Sequence, residues 1–344
     1  MKEKKINKLA VILAIVGVIF VIVVTIGVFG YIYVNKKYSG DDVWLYVPKD
    51  INENALRDSL ESNLGADTGG RVYFLWDLMD GKLNKACGAY KIEKGESIID
   101  IANKLRHGTQ TPIKVVFNNV RTIEQLAQRI SAQMNWSDTD FLMACDSILP
   151  LHGFKKTEFS AAFFPDTYEF YWTTRVDKVV SRLLEYRNNY WTEERRAKAK
   201  SMGLSPVKVA TLASIVEEET NKADERGKVA RLYLNRLDKG MKLQADPTVK
   251  FAVGDFSLRR ITNKHLEIKS PYNTYQVIGL PPGPIRIPSK STLDAVLNAP
   301  KHNYIYMCAK DDFSGYHNFA TDYNTHLQNA RRYQAELNKR KIYK

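Results

Sequence analysis

Three consecutive acids, Glu217-Glu218-Glu219, close a stretch that is otherwise apolar. Ser205-Pro206 reads as a helix start, with Ser as N-cap and Pro at the first helical position. Val209, Leu212, Ala213 and Val216, helped by Ile215, then recur as one apolar stripe that stops at the acids. Negative charge at a helix C-terminus opposes the macrodipole, and three adjacent carboxylates repel one another. Partial burial and like-charge neighbours both favour the neutral form of a carboxyl group. The chemistry this suits is general acid–base catalysis, in which one carboxyl holds its proton near neutral pH, gives it up and takes one back.

The elements that must hold such a group follow in the sequence. A second helix is expected from about Ala223 to Leu237, with Asp224 and Glu225 in its first turn and Gly240 closing it. Leu243-Gln244-Ala245-Asp246-Pro247-Thr248-Val249 comes next, and Asp246 before Pro247 reads as a helix N-cap. After Tyr272-Asn273-Thr274-Tyr275 comes Gly279-Leu280-Pro281-Pro282-Gly283-Pro284-Ile285, whose fixed or special φ angles make a rigid irregular loop suited to wall a groove. Ser291-Thr292-Leu293-Asp294 reads as a capping box opening a short helix. Cys87, Cys145 and Cys308 are odd in number and far apart, so they form no closed disulfide framework. With no C-x-x-C and no Cys/His cluster, no metal site is expected, and Cys145 fits a core position.

Upstream, Leu9 to Val34 contains no charged residue. A bilayer core needs about 20 apolar residues in a helix, and a cleaved signal has a shorter apolar run, so residues 9–34 are expected to be an uncleaved transmembrane helix. Lys2, Lys4, Lys5 and Lys8 precede it, whereas Lys36 and Lys37 after it are soon met by Asp41 and Asp42. The positive-inside rule then places residues 1–8 in the cytoplasm and the remainder outside the cytoplasmic membrane, whose lipid is the first partner. The net charge of +13 would suit an anionic polymer or lipid, and this topology excludes nucleic acid.

Val43 to about Gly108 reads as a small α+β unit. Within it Tyr90 to Leu105 runs strand, turn at Gly95, N-cap Ser97, helix, and resembles the opening of LysM carbohydrate-binding domains. A strand at Ile113–Phe117, a helix opened by Thr122 and Glu124, another helix after Asp138, and one long helical stretch from Val176 to about Gly203 complete the middle of the chain. The charged run Glu193-Glu194-Arg195-Arg196 is expected to be a solvated face.

Ala213-Ser214-Ile215-Val216-Glu217-Glu218-Glu219-Thr220 resembles the signature of the endolytic murein transglycosylases, the YceG-like family. The likeness continues through Leu243–Val249, Tyr272–Tyr275, Gly279–Gly283, Phe164-Pro165-Asp166-Thr167-Tyr168, and the closing His317-x-Phe319 with His326. Two departures stand out. The family's Pro-Glu-Gly turn near residue 117 is Asn118-Asn119-Val120-Arg121 here, and its common Glu-Lys-Glu is Glu217-Glu218-Glu219. The resemblance implies an α+β protein: the transmembrane helix, a LysM-like subdomain at 38–110, a middle region at 111–203, and a mixed α/β catalytic region at 204–344 with a lysozyme-like catalytic helix.

It further implies a lytic transglycosylase that cleaves the bond between N-acetylmuramic acid and N-acetylglucosamine in peptidoglycan strands. Such a reaction leaves 1,6-anhydro ends, needs no cofactor, and would work beside peptidoglycan synthases. The family position for the acid, immediately before Thr, is Glu219. Glu217 and Asp246 are expected as supporting acids, and Glu218, about 100° round the helix, as exposed. Gln244, Tyr272, Asn273, Tyr275, Leu280 and Pro281 are the candidates for binding sugar, while His317 and His326 fit either core or groove. Two other readings stay open: a non-catalytic peptidoglycan-binding anchor, and a lysozyme-type muramidase pairing Glu219 with Asp246.

Overall fold

A computed structural model describes residues 8–258 and 260–340. The expected cytoplasmic tail through residue 7, and the terminal cations Lys341 and Lys344, lie outside them. The described chain divides into two compact units, one running through residue 114 and including 169–173, the other containing 115–168 and everything from 174 onward.

The first unit opens with α1 (Lys8–Asn35), long and apolar enough to cross a membrane, with its large side chains exposed along its length. The helix is tied to the rest of its unit by backbone. Ile98 N–H donates to Lys36 C=O, and Tyr38 pairs with the turn at Gly95 and Glu96. Strand β1 (Val43–Val47) leads to α2 (Glu53–Leu64), α3 (Ala66–Leu78), the single turn α4 (Leu83–Ala86), β2 (Gly88–Ile92) and α5 (Ile98–His107). β1 and β2 are antiparallel, with Val43 opposite Ile92 and Val47 opposite Gly88. Ser97 caps α5 as the sequence suggests, accepting from Asp100 N–H, and Leu45, Leu60, Trp76, Tyr90 and Ile101 pack into one core.

β3 (Ile113–Phe117) enters the second unit at Val115 and is followed by α6 (Ile123–Ser131), capped by Thr122, and α7 (Asp138–Ile148), capped by Ser137. Phe117 stacks on Tyr168 of β4 (Asp166–Phe170) at 5.6 Å between ring centres. The expected long helix from Val176 is instead two, α8 (Val176–Tyr190) and α9 (Glu193–Ser201). Thr192 accepts from Arg195 N–H, so Glu193 and Glu194 form the acidic first turn of a new helix rather than the end of an old one.

Next come α10 (Pro206–Glu219), α11 (Arg226–Asp238), α12 (Asp246–Val253), the single turn α13 (Asn263–Leu266), α14 (Lys290–Leu297), β5 (Tyr306–Ala309), β6 (His317–Ala320) and α15 (Tyr323–Lys339). α10 begins at Ser205-Pro206 as expected, but it is not one-sided: every residue from Val209 to Glu217 is buried. It is the central helix of the unit, packed against α11, α12 and α14. α11 starts three residues later than expected, and α14 is capped by Ser289 rather than Ser291. Asp246 is the first residue of α12, with Ala245 at the N-cap and no capping side chain, which corrects its expected role.

The loop at 279–285 has the irregular backbone its prolines dictate, and Gly283 explains one of its glycines. A Cβ there would come within 1.7 Å of the Thr157 carbonyl oxygen in the 3₁₀ turn Lys156–Ala162. Gly283→Ala must push this loop off that turn and is expected to cost about 1–3 kcal/mol, as over-packing does elsewhere. Thermal unfolding checks it, and an unchanged midpoint would show that the loop yields freely.

Candidate active site

The C-terminal end of α10 turns its three acids in three directions. Glu217 is buried and accepts from Ser289 N–H at 2.9 Å, Ser289 Oγ at 2.7 Å and Thr292 Oγ1, while Arg286 lies 3.3 Å away. Those partners come from the loop after Ile285 and from α14, so Glu217 fastens α10 to the next layer. Glu218 is not exposed, contrary to expectation. It is clamped between Arg286 at 2.9 Å and Arg121 at 3.0 Å, and its side chain keeps only 15% exposure. Helical geometry correctly turns it 100° from its neighbours, but that direction is occupied by two arginines from distant segments.

Glu219 faces a cavity. It is lined also by Tyr233, Arg236, Gln244, Asp246, Tyr275 and His317, with Met307, Cys308 and Ala309 on its β5 side, and encloses about 230 Å³. Tyr233 Oη donates to Glu219 Oε1 at 2.7 Å. Burial pushes the Glu219 carboxyl up to about 7, and Asp246 adds to the rise, while Tyr233, His317 and Arg236 hold it back. Burial also keeps the Tyr233 and Tyr275 phenols well above their usual range, so both remain hydrogen-bond donors.

The walls are held from behind. Tyr275 Oη donates to Asp246 Oδ1 at 2.6 Å. Arg236 is buried and spends its guanidinium on the carbonyls of Leu243 (2.7 Å) and Ile305 (2.6 Å), joining α11 to the α12 approach and to β5. Gln244 adopts φ 51°, a left-handed conformation that only a few non-glycine residues take, and its N–H donates to Thr274 C=O. Thr274 also accepts from Ala245 N–H. His317, on β6, is oriented by Glu225, which accepts from both its N–H and its Nδ1 at 2.8 Å. Thr220, directly after Glu219, donates to that same Glu225 carboxylate. Glu225 is thus the N-cap position of α11 turned toward β6, not a first-turn helix residue.

Of the residues singled out from sequence, Glu219, Asp246, Gln244, Tyr275 and His317 meet at the cavity. The others do not line it. Asn273 is fully buried and gives its amide to the carbonyls of Leu266 and Ile268, so its side chain has no donor left for sugar. Tyr272 packs its ring on Phe251. Leu280 and Pro281 line a separate cavity with Ser205, Lys208 and Leu237. His326 stacks on Tyr306. Tyr233 and Arg236 are the residues sequence reasoning missed. An arginine three positions after Tyr233 on a helix face carrying Val229 and Ala230 was the available signal, because an arginine on a buried face must have matched partners.

Residues 45–332 match the YceG-like family. The chain belongs to that family. An endolytic murein transglycosylase of Bacillus subtilis is 29% identical over 298 residues, covering 80% of this chain and 81% of its own. One from Streptococcus pneumoniae is 25% identical, covering 82% of this chain, and this chain spans 58% of its length. The crystal structure of a putative YceG-like protein from Listeria monocytogenes superposes with a TM-score of 0.57 at 25% identity, covering 84% of this chain and 98% of the other. Asn119, at φ 47°, lies in the turn before Arg121, the partner of Glu218.

Glu219 gives a pH signature. The folded carboxyl keeps its proton to about pH 7, whereas the unfolded one ionises near 4.5. Unfolding therefore releases a proton between those values, and stability present below pH 4.5 is lost as pH rises through 7. Glu219→Gln cannot titrate, so it is expected to gain on the order of 1–3 kcal/mol over wild type at pH 8 relative to pH 4. Unfolding curves at both values measure it, and an equal shift at each would show that the carboxyl is not held neutral.

Proposed function

We propose that this protein is an endolytic lytic transglycosylase acting on peptidoglycan glycan strands, with Glu219 as its single acid–base group. The observation that carries the reading is a carboxyl with its proton held to about pH 7, fixed at one oxygen by Tyr233 and facing a cavity walled by polar side chains. The relatives named endolytic murein transglycosylases support the substrate.

The chemistry runs in two halves. Protonated Glu219 gives its proton to the oxygen joining N-acetylmuramic acid C1 to N-acetylglucosamine, and that bond breaks with oxocarbenium character at C1. The resulting carboxylate takes the proton of the muramyl 6-hydroxyl, whose oxygen bonds to C1 and closes a 1,6-anhydro ring. The proton count balances and Glu219 is restored. Because Tyr233 holds Oε1, the other oxygen is free for the strand, and Gln244, Tyr275 and His317 are placed for sugar hydroxyls and amides. Asp246 lines the same cavity, which keeps a muramidase with Asp246 as the second carboxylate as the alternative. The LysM-like segment at 38–110 adds glycan affinity in this reading. α1, with its N-terminus in the cytoplasm, holds the enzyme outside the membrane beside the synthases, where it trims nascent strands. A reporter joined after residue 340 should then be active only outside the cytoplasm, and activity inside would reverse the orientation.

The decisive test is the product. Full-length protein in detergent, given intact peptidoglycan without metal or nucleotide, should release fragments ending in 1,6-anhydromuramic acid by mass spectrometry. Glu219→Gln should lose about 10²–10⁴ in rate or more. Reducing ends, with equal loss in Asp246→Asn, would identify a hydrolase instead. Tyr233→Phe removes a donor that lowers the Glu219 pKa, so the alkaline fall in rate should move to higher pH. A fixed profile would mean that another group titrates.

A further inference from the structure

α3 is apolar on two sides. Val72, Leu75 and Trp76 are buried in the core of the first unit, yet Phe74 is 53% exposed and Leu78 69% exposed. Phe74 and Leu78 are four residues apart, so they form one outward stripe. That stripe does not face open solvent alone. With Thr25, Ile26, Phe29 and Tyr33 of α1 it lines an open groove of about 650 Å³.

The contacts between the two helices give their relative direction. Lys36 pairs with Asp67 at 2.6 Å, Arg71 sits 4.3 Å over the Tyr33 ring, and the Phe74 ring lies 6.3 Å from that of Tyr33. Later residues of α3 thus meet earlier residues of α1, and α3 descends toward the membrane along α1. A span of about 20 residues counted from Leu9 ends near Phe29. Thr25 and Ile26 therefore lie inside the apolar layer, and Phe29 and Tyr33 at its outer edge. The groove reaches about 14 Å along α1 from Val34 back to Thr25. Its far end cannot be in water if α1 spans.

We infer that Phe74 and Leu78 rest in the outer leaflet of the membrane that α1 crosses, so that the first unit holds the surface by two adjacent helices rather than by a single tether. Lys85, exposed in the chain just after α3, is placed to meet lipid phosphates, while Lys82 pairs with Asp80 at 2.5 Å and the exposed Asp77 and Asp80 set the polar limit of the insertion. Two insertion points would restrict tilting of the unit on the bilayer, where a lone helix permits it.

The inference rests on α1 as a span, and one experiment separates the two. The full chain with Cys87→Ser, Cys145→Ala and Cys308→Ser is reconstituted in phosphatidylglycerol–phosphatidylethanolamine vesicles. A nitroxide is placed singly at Phe20→Cys, Leu78→Cys or Lys94→Cys, and collision rates with oxygen and with a water-soluble nickel chelate are read by spin resonance. The label at 20 should favour oxygen severalfold, the label at 94 should favour the chelate, and the label at 78 should follow 20. A label at 78 that follows 94 while 20 stays apolar overturns the inference and leaves the anchor intact. Labels at 20 and 78 that both favour the chelate overturn the anchor itself. Dipolar broadening between labels at 78 would show a second copy covering the stripe, and would also overturn it.

Discussion

Burying the acidic end of a central helix is the constraint around which the second unit is organised. A charge moved out of water costs several kcal/mol unless it meets an opposite charge and full hydrogen bonding. Here Glu217 and Glu218 meet that demand with Arg286, Arg121, Ser289 and Thr292. Among the described residues no arginine pairs with Glu219, and the same burial that its neighbours offset instead keeps its proton in place. One helix end thus carries two ways of meeting the cost of burial, matching the charge and withholding it.

Much of the surrounding architecture serves that partition. The proline-rich loop delivers Arg286 and Ser289, and the close approach at Gly283 fixes where that loop runs. α11 supplies Tyr233 to the carboxyl and, one turn on, Arg236 to the carbonyls that shape the far wall. Glu225 binds Thr220 at the end of α10 and His317 on β6 with one carboxylate, so the helix end and the small β5–β6 ladder cannot shift independently. The left-handed backbone at Gln244 is stabilised by the doubly engaged Thr274, consistent with strain concentrated where the site is built.

Two segments far apart in the chain meet at Glu218. Glu218 would stand unpaired at a nearly buried site, but Arg121 faces it, and Asn119 takes a positive φ in the turn just before that arginine. Asn119 also accepts from Arg286, so the turn, the loop and the helix end share one ionic cluster. Arg121 and Glu218 lie 97 residues apart along the chain; in space they are a charge pair.

The sequence by itself determined what depends on near neighbours. The apolar run of α1, the caps at Ser97, Thr122 and Ser205, and the acid at the end of α10 were legible because capping and periodicity act within about four residues. The break at Thr192 was equally local, a threonine cap followed by two acids. Tertiary structure alone decided the fate of each acid. Glu217 finds its partners 72 and 75 positions away, Glu218 finds Arg121 at 97, and Glu225 finds His317 at 92. Asn273 has the residue type of a sugar-binding amide, but its burial and two backbone carbonyls claim it for the loop. Ionisation and burial are properties of everything within a few ångströms, whatever its place in the chain, and so the acid's position was readable while its protonation was not.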